Sequence, residues 1–130
     1  MNLTGAVNKN KNRIHSLGQG ILNMSITQNE QKALNELQTK FAGKYGLVDF
    51  KLYGSKAIGT DVSGSDLDVM IVLENYSPAI ESEIDDLVFD INLNHDCFIT
   101  ALFFSRVELD TGSLSESPIY KKILQEGVGV

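Results

Sequence analysis

Apolar residues recur at helical spacing from Ala33 through Leu34, Leu37 and Phe41 to Tyr45, the stripe of a helix that lies on a core. Thr27 followed by Glu30 has the form of a capping box at its start, and Gly46 stops it. The period then changes. "LVDFKLYG" (47–54) alternates, with Leu47, Phe50 and Leu52 as its apolar side, and predicts a strand. "DLDVMIVLE" (66–74) predicts a second strand whose continuous apolar run implies burial on both faces. Ser77 and Pro78 open a second long helix as N-cap and first-turn proline, with Ile80, Ile84, Leu87, Val88 and Ile91 as its buried stripe. "CFITALFFS" (97–105) reads as a third strand, and "SPIYKKILQEG" (117–127) as a closing helix that ends at glycine. The order helix-strand-strand-helix-strand-helix predicts an α/β (α+β) domain, a small mixed sheet covered by helices. Residues 1–25, rich in Asn, Gly and Lys, show no sustained period and read as a loose tail before a domain over 26–130.

A length of 130 residues suits one domain with one core. The formal net charge of −6 argues against broad binding to nucleic acid or anionic lipid, both polyanions. Cys97 is the single cysteine, so neither an internal disulfide nor a cysteine-based zinc site is available, and an inert buried thiol is expected. No apolar run approaches the ~18 residues of a membrane span. The first residues lack the apolar stretch of a secretory signal, and the cytoplasm is the expected compartment.

The stretch "LYGSKAIGTDVSGSDLDVMIV" (52–72) carries the candidate chemistry. Residues two apart on a strand share a face, roughly 6.6–7 Å apart along the chain, so Asp66 and Asp68 are expected side by side. Adjacent carboxylates repel unless a proton or cation intervenes. Magnesium commonly binds through one or two carboxylates together with nucleotide phosphates, and paired metals can activate an attacking oxygen and stabilise a leaving one. Gly54 directly follows a strand, where a side chain would block close backbone approach. A short helix beginning at Ser55 would direct backbone N–H groups at an anion. Ser55 adds a hydroxyl, Lys56 a positive charge, and the loop "TDVSGS" turns the chain between the two halves. A phosphate-loop ATPase is excluded because no Gly-Lys-Ser/Thr follows. A calcium loop beginning at Asp61 is excluded because its twelfth position is Val72 instead of Glu.

Other features read as structural. His95, beside Asp96, has no positioned nucleophile nearby in sequence and reads as a surface histidine; "ESEIDD" (81–86) reads as a solvated helix face. Phe98, Phe103 and Phe104 are expected in the core or against a partner, not stacked on a base.

Gly54-Ser55, ten intervening residues, then Asp66-Leu67-Asp68 resembles the signature of the DNA polymerase beta-type nucleotidyltransferase superfamily. Within it the chain is most similar to the minimal nucleotidyltransferases, small antitoxin-like proteins that pair with HEPN-domain proteins. The resemblance covers roughly residues 28–127 and includes the closing "SPIYKKILQEG". It implies a nucleotidyltransferase fold, with Gly54 and Ser55 holding the terminal phosphates of ATP and Asp66 and Asp68 binding Mg2+ as the catalytic pair. Lys56 and Ser65 complete the candidate nucleotide-contacting set. It also implies transfer of AMP to a hydroxyl on a partner, a HEPN-domain toxin or other acceptor protein, within a homo- or hetero-oligomer. Two departures are visible. Many members carry a third carboxylate on the following strand, whereas "FITALFFS" has none, with Thr100 its polar side chain before Ser105 and Asp96 just upstream. Lys56 stands where arginine is common, which keeps the charge but loses bidentate contact. Two alternatives remain: a non-catalytic nucleotide-binding module that occludes a partner, and a nucleotidyltransferase acting on a small molecule such as an antibiotic.

Overall fold

A computed structural model describes residues 26–60 and 66–129. Among them, α1 (Gln28–Lys44) leads into β1 (Leu47–Tyr53), a single-turn α2 (Ser55–Ile58) and β2 (Leu67–Leu73). A 3-10 turn (Pro78–Ile80) then enters α3 (Glu81–His95), followed by β3 (Ile99–Ser105) and α4 (Arg106–Thr111). A second 3-10 turn (Leu114–Glu116), α5 (Pro118–Glu126) and the two-residue β4 (Val128–Gly129) complete the order.

The sheet runs β3-β2-β1-β4. β1 pairs antiparallel with β2 and with β4, while β2 and β3 are parallel and joined through α3. The sheet is therefore mixed, as the α+β reading expects. β2 sits second in the sheet with neighbours on both sides, and five consecutive residues from Val69 to Leu73 are buried. This accounts for its lack of alternation.

One sheet face packs on α1 and α3. Ala33, Leu34, Leu37, Phe41 and Tyr45 of the first helical segment meet Leu52, Leu67, Val69, Ile71, Ile84 and Ile91 there. Each large aliphatic side chain fully removed from water contributes about 1.5–3 kcal/mol, so this cluster dominates stability. The opposite face is smaller: Met70, Val72 and Phe104 under Ile123 of α5. Helix ends follow local chemistry. Thr27 Oγ1 accepts from Glu30 N–H while Glu30 Oε1 accepts from Thr27 N–H, the reciprocal box.

Two local expectations are corrected. Ser77 makes no side-chain cap; the chain enters α3 through the 3-10 turn at Pro78 instead. β3 begins at Ile99 and not at Cys97, because Asp96 adopts a left-handed conformation with φ 52° that ends α3. The segment after β3 forms α4, capped by Ser105 and Glu108; the spacing Ser105-x-x-Glu108 carried that signal in sequence. Cys97 is a buried free thiol, as expected. Residues 1–25 lie outside the described residues. Among the described residues no helix is long and apolar enough to cross a membrane.

Candidate active site

Strand register assembles the site. Tyr53, the last residue of β1, is paired with Asp68, and Asp68 is paired in turn with Thr100 of β3. The chain leaves β1 at Gly54, whose φ of 79° and ψ of −163° fall in a region that is essentially reserved to glycine. That backbone passes so close to Asp68 that an added Cβ would stand 2.6 Å from Oδ2. The Gly54-Ser55 turn and the Asp68 carboxylate thus occupy adjoining corners of one small region.

Asp66 lies immediately before β2 and is exposed; Asp68 is half-buried. Burial pushes the Asp68 carboxyl above the ordinary carboxylate range, and the neighbouring Asp66 charge adds to it. The Tyr53 hydroxyl is also pushed up, by burial first and then by Asp68. Two neighbouring carboxylates, one of them partly buried, are suited to a divalent cation, which removes the repulsion. Thr100 donates its hydroxyl to Asp66 Oδ2 at 3.1 Å. The strand position beside Asp68 therefore carries an uncharged donor. Among the described residues no group of three or more His, Cys, Asp or Glu side chains is placed to hold a metal ion. A cation here would rest on Asp66 and Asp68 and take its remaining ligands from substrate and water.

Ser55 opens α2 behind Gly54. Lys56, assigned to the nucleotide from sequence, is 7% exposed. Its Nζ donates to Glu30 Oε2 at 2.9 Å and to Oε1 at 3.1 Å. Glu30, also 7% exposed, closes the capping box of α1 with the same carboxylate. A buried ion pair thus ties the phosphate-side turn to the first turn of α1. Sequence reasoning found the cap but not the pair, because nothing local links positions 26 residues apart. Ser65 lies outside the described residues.

The remaining candidates separate. Asp96 is exposed and lines a cavity together with Lys56. His95 Nε2 lies 2.8 Å from Glu36 Oε1, joining α3 to α1. Glu81, Glu83, Asp85 and Asp86 are exposed, as a solvated face requires. The phenylalanines divide. Phe104 is buried and Phe103 packs on Phe41 and Tyr76, as expected, but Phe98 is 72% exposed.

No curated protein matches the chain. The family model described as "Nucleotidyltransferase domain" matches residues 30–125, a span that contains both the Gly54-Ser55 turn and the aspartate pair. A mixed sheet that brings a glycine-serine turn onto the carboxylate of Asp68, together with a match over most of the sequence, leads to one assignment: this chain belongs to the nucleotidyltransferase domain family of the DNA polymerase beta type.

Proposed function

We propose that the chain transfers AMP from ATP to a hydroxyl on a partner protein, with Mg2+ held by Asp66 and Asp68. The observation that carries this reading is the close approach of Gly54 to Asp68. It supports the reading because the Gly54-Ser55 turn, proposed to take the terminal phosphates, adjoins Asp68, proposed to flank the reacting phosphate. The bound cation would supply charge neutralisation on the phosphate oxygens. Gly54 admits the phosphate chain by lacking a side chain, and Ser55 offers a hydroxyl to it. Thr100 keeps Asp66 oriented through its hydrogen bond. The acceptor oxygen forms a bond to the α-phosphorus, the bond to the bridging oxygen breaks, and pyrophosphate leaves. The acceptor proton passes to water, because β3 carries no acidic side chain to take it.

The described fold adds no separate acceptor-binding domain to the sheet and its covering helices. An acceptor delivered by a second protein supports the same reading. A HEPN-domain toxin neutralised by this antitoxin-like chain is the partner proposed, on the resemblance in the Gly54–Asp68 segment. Thr100 favours a second reading, in which the chain binds nucleotide and neutralises its partner by occlusion alone.

Titration calorimetry of ATP with Mg2+, on wild type and on Asp66→Ala/Asp68→Ala, tests the nucleotide site. Binding that needs magnesium and disappears in the double variant is the expected result; magnesium-independent binding kept by the variant would overturn it. The intact mass of the co-purified partner separates the readings. An added AMP supports transfer, and an unmodified partner in a tight complex supports occlusion.

A further inference from the structure

A cavity of about 440 Å³ opens between the start of α1 and the segment that enters β3, lined by Gln28, Asn29, Glu30, Lys56, Asp96 and Phe98 among others. Its volume is within the roughly 300–1,000 Å³ of small-molecule sites. Two of its lining residues are next to active-site residues. Lys56 directly follows Ser55. Phe98 stands beside Asp66, because the Phe98 carbonyl accepts the Leu67 N–H at 2.8 Å and parallel pairing of Leu67 with Ile99 follows. The cavity therefore begins one residue along the chain from Ser55 and reaches the strand position beside Asp66.

Its lining is chemically mixed. At one wall is the buried Lys56–Glu30 pair, its charges already matched to each other. The rim carries the exposed amide side chains of Gln28 and Asn29 and the ring of Phe98. A phenylalanine ring left 72% exposed beside a catalytic strand costs hydration without filling any core. Its flat face and the two amides match a planar heterocycle that stacks on one side and hydrogen-bonds at its edge. A further phosphate matches poorly, because Asp96 adds negative charge to the lining while the Lys56 charge is taken up by Glu30.

Resting on the nucleotidyltransferase reading above, we infer that this cavity receives the nucleobase of the triphosphate substrate, with Phe98 as its stacking surface and Gln28 and Asn29 as edge-reading groups. Phe98 is then a specificity residue, and the first turn of α1 takes part in substrate selection.

The test compares two probes that share a phosphate chain, Mg-ATP and Mg-tripolyphosphate. Each is titrated into wild type, Phe98→Ala, Gln28→Ala/Asn29→Ala and a control, Phe89→Ala, whose ring is exposed on α3. A base–aromatic contact changes affinity by about tenfold or more. Phe98→Ala and the double amide variant should weaken ATP by that factor and leave tripolyphosphate unchanged, with Phe89→Ala neutral for both. ATP affinity untouched by Phe98→Ala, or wild type binding both probes equally, overturns the inference while the phosphate site stands. Wild type that binds neither probe removes the nucleotide reading and the inference together.

Discussion

Gly54 and Asp68 share space that no side chain at position 54 can enter: a Cβ there would lie 2.6 Å from the carboxylate oxygen Oδ2. This close approach lets the Gly54-Ser55 turn lie beside Asp68. Gly54→Ala meets two penalties, a backbone conformation closed to residues with a Cβ and the clash itself. It is expected to cost about 1–3 kcal/mol and to weaken Mg-ATP binding beyond what that lost stability explains. Urea unfolding and nucleotide titration on the same variant check both halves.

The Glu30–Lys56 pair can be separated from the cap it shares, because glutamine at Glu30 still serves a capping box. Glu30→Gln removes the carboxylate partner of a buried ammonium, a change that typically costs about 3–5 kcal/mol. Glu30→Gln/Lys56→Met removes both charges and should recover most of that loss, since apolar replacement of a buried pair is often near neutral. Chemical denaturation of the wild type, both single variants and the double variant gives the cycle; a double variant no better than Glu30→Gln would contradict the expectation.

Thr100 acts on Asp66 through one hydrogen bond from an exposed position. Thr100→Val should change stability by under about 0.5 kcal/mol, as exposed substitutions usually do. Loss of a group that orients a metal-binding carboxylate typically weakens metal affinity about 10- to 100-fold. A shift of the magnesium dependence of ATP binding to higher concentration, without a change in melting temperature, is the expected pattern.

Acid sensitivity has a local source at Glu83. Tyr45 donates its hydroxyl to Oε1 at 2.5 Å and Lys44 its ammonium to Oε2 at 2.9 Å. Together they hold the Glu83 carboxyl below its ordinary value, the tyrosine hydrogen bond being the larger cause. With the folded value depressed, the contribution is present above the ordinary carboxylate pKa and is lost as pH falls through the folded one. Thermal melts from pH 7 to pH 3 should show the wild type's advantage over Glu83→Gln shrinking on the acid side. A gap that widens there would contradict the assignment.

Much of this architecture was legible because it is written in short-range pattern. The stripe from Ala33 to Tyr45, the box at Thr27 and Glu30, and the unbroken apolar run of β2 each follow from periods of a few residues. The aspartate pair and the Gly54 turn were legible for the same reason. The rest depends on tertiary contact. Whether Lys56 faces a ligand or Glu30 is decided by where α1 begins. Phe98 and Phe104 look alike in sequence, yet only Phe104 finds a helix, α5, across from it. β4 escaped notice because two residues carry no period; they are a strand by pairing with Lys51 and Leu52.

The single-turn α2 has a consequence for the order in which the molecule assembles and comes apart. Four residues cannot sustain a helix alone, since isolated helices below about 12–15 residues are marginal. β1 and β2 can zip together locally, but the turn at Ser55 gains a long-range support when Lys56 meets Glu30 on another helix. Fraying of the first turn of α1 would then melt the ligand-holding corner while the sheet stays intact, a sub-global opening of the kind that amide exchange detects. Whatever loosens the first turn of α1 then loosens the corner with it.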